Sequence, residues 1–305
     1  MLASLAVVLP VFGLIGVGYF ARWAKLVSEK TEAGLSDYVF VLAIPFLLFK
    51  TLARAELPDV QPWGYWISYF TGVAVVWLLA MLVSGRMFNR KGPELVVSGF
   101  AAAQSNTVLV GIPMILKAYG DAAAVPLTLL LAVHLPITMT AATVLAEGRG
   151  TSPVTLLRKL VTHPIIVGIL LGSLIRPFVA HVPAVGWTVI DGLAASAVPC
   201  ALVSLGMALR RYGLASGIAL PGVLTGLKLG LHPLIVYVLA FKVFAMPPAW
   251  AGVAVLFAAC PCGINAYLFA ERYKQGQADA SAAIALSTAL SLLTLVGWLT
   301  VLGVQ

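Results

Sequence analysis

Long apolar runs dominate the chain, and each is long enough to cross a bilayer as a helix. About 20 apolar residues are needed for one such crossing. The runs lie at 3–21, 35–53, 63–85, 95–118, 122–146, 160–180, 187–209, 228–246, 249–271 and 279–303. Each run is continuously apolar instead of alternating with a period of two, so the pattern predicts ten transmembrane helices and not barrel strands.

Composition and the placement of charge support a polytopic membrane protein. Of 305 residues, 61% are hydrophobic and 10% are charged, whereas a soluble domain carries more surface charge. The net charge of +8 does not indicate nucleic-acid binding, because Lys and Arg lie between the runs and not on a stripe. They concentrate after odd-numbered runs, which predicts cytoplasmic odd loops and both termini outside the cytoplasm, in an inner (plasma) membrane.

The chain divides into two halves that resemble each other weakly. Five predicted helices occupy 1–146, a short cytoplasmic connector occupies 147–157, and five more occupy 158–305, so the second half is inverted relative to the first. Matching residues recur in the same order: Asp37 then Pro45 with Asp191 then Pro199, and Phe100 then Asn106 with Phe257 then Asn265. Inverted repeats of this kind are typical of secondary transporters, whose sites lie at the repeat interface.

Predicted helices 4 and 9 carry residues that hydrocarbon penalises. The candidate binding residues are Asn106, Thr107, Gly111 and Pro113 in helix 4, with Pro261, Gly263 and Asn265 in helix 9. Proline removes a helical hydrogen bond and glycine eases unwinding, so both helices are predicted to be interrupted and to cross near mid-membrane. Half-helix N-termini and amide donors at that point suit an anion, although ordinary packing kinks explain each helix separately.

Other polar residues have two interpretations each. Secondary site candidates are Ser105, Ser287, Ser291 and His134, which line the cavity or simply pack between helices. Asp37 and Asp191 are candidates for ion coupling or for helix capping. The sequence indicates no catalytic residue, no metal site and no cofactor.

Lys228 is interpreted as a snorkelling anchor at the membrane surface, at the start of helix 8. That interpretation makes 212–227 an interfacial segment. The three cysteines fall inside predicted helices and are interpreted as packing residues.

Two segments resemble the auxin efflux carrier family, particularly its bacterial members, which are related to the bile acid/Na⁺ symporter-like superfamily. They are NTVLVGIPMILKAYG at 106–120 and PCGINAYLFAERY at 261–273. The resemblance implies crossing helices 4 and 9, with Asn106 and Asn265 on the substrate and Pro261 breaking helix 9. Plant carriers have proline where this chain has Ser105, and many have a long central loop that this chain lacks.

The family resemblance also implies an architecture and a mechanism. Helices 1, 2, 6 and 7 would form a scaffold that mediates a homodimer, and helices 3–5 and 8–10 would form a transport domain. The leading hypothesis is therefore a secondary transporter of a small organic anion, a carboxylate, by elevator-like alternating access. A Na⁺-coupled symporter of the bile acid type is the alternative, and an intramembrane sensor or enzyme is a further one.

Overall fold

The computed structural model describes residues 2–55, 63–147, 158, 162–212 and 217–304. Within these ranges the protein is helical and forms no strand apart from one isolated bridge, between Ser105 and Cys262. The predicted connector lies outside the described residues except for Glu147. The all-helical class predicted from the apolar runs is confirmed.

Eight of the described helical stretches are long and apolar enough to cross a membrane. They are Ser4–Trp23, Glu29–Ala53, Trp63–Phe88, Thr107–Glu147, Pro164–His181, Ala184–Ala208, Ala219–Val243 and Gln277–Val301. Two shorter apolar helices, Pro93–Ala103 and Pro248–Ala259, lie where the fourth and ninth spans were predicted. Those two regions consist of shorter pieces because each is interrupted.

The helices of the first half follow the predicted runs closely. They are α1 (Leu2–Trp23), α2 (Glu29–Tyr38), α3 (Ile44–Ala53), α4 (Trp63–Phe88), α5 (Pro93–Ala103), α6 (Ile112–Tyr119) and α7 (Ala124–Glu147). A π-helical turn at Val39–Ala43 joins α2 to α3, and a 3₁₀ turn at Gly120–Ala123 joins α6 to α7.

The second half likewise combines long helices with short ones joined by irregular turns. They are α8 (Pro164–Ile175), α9 (Ala184–Ala208), α10 (Ala219–Gly226), α11 (His232–Tyr237), α12 (Pro248–Ala259), α13 (Asn265–Tyr273) and α14 (Gln277–Val301). A 3₁₀ turn at Arg176–His181 follows α8. The π turn Leu227–Leu231 joins α10 to α11, and the π turn Val238–Val243 ends this stretch.

One group of helices is built on close backbone approach. In it α1 packs along α9, and α3 packs against both α8 and α9. A Cβ on Gly172 would lie 2.6 Å from the carbonyl oxygen of Phe49, so only glycine permits this spacing. The hydroxyls of Ser36 and Ser204, 2.7 Å apart, join α2 to α9.

The remaining helices form a second group around the two interruptions. In it α4 packs against α5, α11 and α12, while α14 packs against α10, α12 and α13. The groups also touch, since the hydroxyls of Ser4 on α1 and Thr300 on α14 are 3.1 Å apart. The polar residues predicted to matter most lie mainly in this second group.

The surface position predicted for Lys228 is wrong. Lys228 is fully buried, at 0% exposure, in the middle of the continuous helical stretch Ala219–Val243. The interfacial segment predicted at 212–227 is wrong for the same reason, because the helix already begins at Ala219. Low charge between 212 and 227 is what a span requires, and the pattern was mistaken for an interfacial one.

Candidate functional site

The first interruption lies between α5 and the π turn Thr107–Gly111. Helix α5 ends at Ala103, and Gln104 is extended with φ −78° and ψ 121°. Asn106 is also non-helical, with φ −76° and ψ 70°. The break therefore forms at 104–106 without a proline in it.

Pro113 lies beyond this break, in the first turn of α6, where a missing N–H is tolerated. Pro113 therefore does not break the helix. The chain after the break instead forms a π turn, in which the Asn106 carbonyl oxygen accepts from both Val110 N, at 3.2 Å, and Gly111 N, at 3.1 Å. A Cβ on Gly111 would lie 3.1 Å from the Cys260 sulfur. The absence of a side chain at Gly111 therefore lets Cys260, at the second break, pack closely against the first.

The second interruption separates α12 from α13. Helix α12 ends at Ala259, Cys260 is extended with φ −58° and ψ 148°, and the helix resumes at Asn265. Pro261 lies inside this gap, as the sequence predicted, and cannot donate a backbone hydrogen bond.

The two interruptions hydrogen-bond to each other. Asn106 N donates to the carbonyl oxygen of Pro261 at 2.8 Å, and Gly263 N donates to that of Gln104 at 2.9 Å. These bonds form the antiparallel bridge between Ser105 and Cys262. Backbone groups freed where the two helices are interrupted are satisfied in this way within the protein.

Neighbouring side chains hold the bridge in place. A Cβ on Gly263 would lie 2.9 Å from the Gln104 side chain and 3.0 Å from the Ser105 carbonyl oxygen, so a larger residue would force Gln104 or Ser105 to shift. Cys262 N donates to the Ser287 hydroxyl at 3.0 Å, which places the predicted candidate Ser287 beside the second break. Thr138 donates to the Gln104 side-chain oxygen at 2.8 Å.

Unpaired hydrogen-bonding atoms at the bridge include side-chain atoms, whereas two first-turn N–H groups of the helical segments after the breaks are already paired. Thr107 N already donates to Ser105 O, and Ala266 N donates to Gly263 O. The expectation that first-turn N–H groups point freely into a site is therefore wrong for these two. Asn106 Nδ2 is buried and has no partner among the described residues. An unpaired buried amide is costly, so Asn106 Nδ2 is a donor at the bridge that has hydrogen-bonding capacity to spare.

A buried polar chain begins directly behind the first break. Ser105 N points to His134 Nε2 at 3.5 Å, and His134 Nδ1 is 2.8 Å from the Tyr69 hydroxyl. This arrangement assigns the His134 proton to Nδ1. The Tyr69 ring then lies 5.6 Å from the His232 ring, and His232 Nδ1 is 3.2 Å from the Lys228 ammonium.

Three residues of this buried polar row, Tyr69, Lys228 and His232, were not predicted from the sequence as part of the site. The spacing of Lys228 and His232, four residues apart on one helix, was visible in the sequence. It was assigned to a membrane surface because a lysine is far more common there than at depth.

The remaining candidates lie elsewhere. Ser291 is buried but bonds within its own helix, to the Thr288 carbonyl oxygen. Asp37 is exposed, and Asp191 forms ion pairs with Lys50 at 2.7 Å and Arg54 at 3.8 Å. Among the described residues, neither carboxylate forms a hydrogen bond or ion pair with the interruptions.

A cleft of about 980 Å³ is lined by residues of both helix groups. Lys50 and Arg54 on α3 line one side of it, and Gly120, Asp121 and Trp250 of the second group line the other. The Lys50 and Arg54 side chains both pair with Asp191, which leaves one net positive charge on their side of the cleft. The described residues contain no group of metal-ligating side chains.

Comparisons with known proteins agree that the chain is similar to membrane transporters. The "Membrane transport protein" family matches residues 3–299. A Rhizobium meliloti protein named "Putative malonate transporter" is 30% identical over 96% of this chain and 93% of its own length. A Methanothermobacter thermautotrophicus protein named "Uncharacterized transporter" is 27% identical over 99% of both chains.

A more distant similarity covers part of the chain. The mouse "Lysosomal cholesterol signaling protein" is 29% identical over 36% of this chain and 13% of its own length. The family match, by contrast, extends over nearly all of the predicted helices. This multi-pass membrane protein therefore belongs to the membrane transport protein family, the auxin efflux carriers that its fourth-helix motif resembles.

Proposed function

We propose that this chain is a secondary transporter of a small organic anion, with a short dicarboxylate such as malonate as the first substrate to test. The observation that carries the proposal is the buried, unpartnered amide of Asn106 at the point where two interrupted helices meet. Full-length similarity to a protein named for malonate transport supports the substrate class.

The chemistry of the bridge suits a carboxylate. An amide N–H donates a charge-assisted hydrogen bond to a carboxylate oxygen without placing a formal charge in the membrane. Asn265 is half-buried at the first position of α13, so its amide provides a second donor beside the bridge. The positive end of the α13 dipole adds to the attraction.

The proposal includes the inverted-repeat architecture. Ten spans with crossing helices 4 and 9 place the site near mid-membrane and both termini outside the cytoplasm. Helix packing supports a scaffold of helices 1, 2, 6 and 7, because α1, α2, α3, α8 and α9 pack together. Elevator-like movement of the other helices, in a plasma-membrane homodimer, then alternates access through the cleft.

Transport in proteoliposomes tests the proposal. Counterflow of radiolabelled malonate is measured for the wild type, Asn106→Ala, Asn265→Ala and Gln275→Ala, with unlabelled mono- and dicarboxylates as competitors. Gln275 is an exposed amide beyond α13 and is the matched control. Losing one hydrogen bond to a charged group predicts a fall of about tenfold or more for Asn106→Ala, since each tenfold corresponds to about 1.4 kcal/mol.

The control variant should keep wild-type counterflow. Equal transport by Asn106→Ala, Asn265→Ala and the wild type would place the substrate somewhere other than the bridge. If no carboxylate competes with labelled malonate, the proposal that the substrate is a carboxylate would be wrong.

A further inference from the structure

Lys228 is a buried cation that the proposed site does not by itself require. It is 0% exposed inside the helical stretch Ala219–Val243. Its π turn, Leu227–Leu231, directs the side chain into the protein and not towards a membrane surface. A lysine at such depth is expensive, so its retention indicates a specific partner or role.

The partner is the end of a half-helix. The Lys228 ammonium donates to the carbonyl oxygen of Ala258 at 2.5 Å, and α12 ends one residue later, at Ala259. Carbonyls in the last turn of a helix lack helical partners, and together they carry about half a negative charge. The lysine thus neutralises the C-terminal end of the helix that precedes the second break.

No acidic side chain shares this task in the part of the chain that the structure describes. Every ion pair there involves a cation other than Lys228. The other close contact of the ammonium is with His232 Nδ1, at 3.2 Å, and that ring nitrogen accepts when the imidazole is neutral. The ammonium therefore leaves one net positive charge within a turn of the second break.

Cation-coupled transporters use the same kind of position for an ion. In transporters with interrupted helices, half-helix C-terminal ends and unwound carbonyls coordinate Na⁺ or H⁺. Here the ammonium of Lys228 already hydrogen-bonds to one such carbonyl oxygen, that of Ala258.

We propose that Lys228 is a built-in cation that takes the position of a coupling Na⁺, so that transport proceeds without Na⁺. This inference rests on the proposed transport of an organic anion and specifies its coupling. The fixed charge also offsets one charge of a bound dicarboxylate, which lowers the cost of carrying it through a region of low dielectric constant.

Two measurements on the full-length protein test the inference. Malonate counterflow is compared in sodium chloride and choline chloride of equal concentration, and the midpoint of thermal unfolding is recorded in the same two salts without malonate. The variants are Lys228→Met, which keeps length but removes charge, and Lys242→Met, an exposed lysine at the end of the same helical stretch.

The wild type should show the same counterflow and the same midpoint in both salts. Lys228→Met should lose counterflow by about tenfold or more, because the removed charge attracts the anion, while Lys242→Met should keep wild-type activity. If Lys228→Met does not fold, Lys228→Arg, which retains the charge, should be active and equally insensitive to Na⁺.

Three results would overturn the inference. These are faster wild-type counterflow in sodium than in choline, a wild-type midpoint raised by sodium, and wild-type activity in Lys228→Met. A wild type that transports no carboxylate would refute the proposed function instead, and the sodium dependence of the midpoint would still decide the role of Lys228.

Discussion

At the scale of single residues, the contact between the two interruptions depends on Gly263. Its missing side chain lets the second break lie against Gln104 and Ser105 at distances that a Cβ could not accept. The two backbone hydrogen bonds of the bridge form at this spacing. Gly263 therefore acts on the site through geometry, whereas Asn106 is proposed to act by direct contact.

Gly263→Ala should destabilise the protein by about 1–3 kcal/mol, the usual cost of forcing extra atoms into a packed interior. The measurement is the midpoint of thermal unfolding in detergent, together with malonate counterflow. Gly230→Ala is the control, because a Cβ at that exposed glycine meets nothing within 4 Å. An unchanged midpoint in Gly263→Ala would mean that the breaks are not in close contact.

At the scale of helices, one buried carboxylate ties three helix ends together. Glu32 on α2 forms ion pairs with Arg22, at the end of α1, and with Arg211, just beyond α9. The Glu32 side chain is 1% exposed, and its hydrogen bond raises the pKa of the Arg211 guanidinium above its usual value. This cluster fixes how α1, α2 and α9 meet.

Glu32→Gln should lower the free energy of unfolding by about 3 kcal/mol, the lower end of the range for breaking a buried pair, because the Arg211 side chain is 59% exposed. Chemical unfolding in detergent measures the change. Glu29→Gln removes the other carboxylate on Arg22, but Glu29 is 77% exposed, so the expected change is about 0–1 kcal/mol. Equal effects of the two substitutions would contradict a buried role for Glu32.

At the scale of the whole molecule, the elevator proposal requires the two helix groups to slide past each other. Two pairs of hydrogen-bonded hydroxyls offer positions for disulfides that test this, because each pair brings side chains of two helices into direct contact. Ser4 and Thr300, 3.1 Å apart, join the two groups, whereas Ser36 and Ser204, 2.7 Å apart, lie within the scaffold group.

Oxidation of the Ser4→Cys, Thr300→Cys double variant should abolish malonate counterflow, and reduction should restore it. The Ser36→Cys, Ser204→Cys variant should remain active in both states, because its two helices are proposed to move together. Both are made in a background lacking Cys200, Cys260 and Cys262, which are free thiols. Persistent transport by the oxidised Ser4–Thr300 variant would contradict sliding at this contact.

The sequence predicted that both helices are interrupted, but it identified the residues responsible for only one of the two breaks. Pro261 and Gly263 lie in the second break as expected, because proline and glycine act locally on the backbone. The first break forms at 104–106, ahead of Gly111 and Pro113, because its backbone is paired with a segment distant in the sequence. Local propensity cannot identify such a partner.

Lys228 is a second residue whose environment could not be predicted from the local sequence. A lysine near the end of an apolar run is usually at a membrane surface, and nothing in its neighbours along the chain contradicts that position. Its actual environment comes from the carbonyl oxygen of Ala258, thirty residues away. Tyr69 was missed for the same reason, since its hydrogen-bond partner His134 lies on another helix.

The sequence alone determined the membrane class, most of the helices and the family resemblance, because apolar length and a local motif are properties of contiguous residues. Only the tertiary structure decided which backbone groups pair at the interruptions and that Asn106 is left with a free donor. It also decided that a buried ammonium caps α12. Those features depend on hydrogen bonds between distant segments, whose partners only the packed helices bring together.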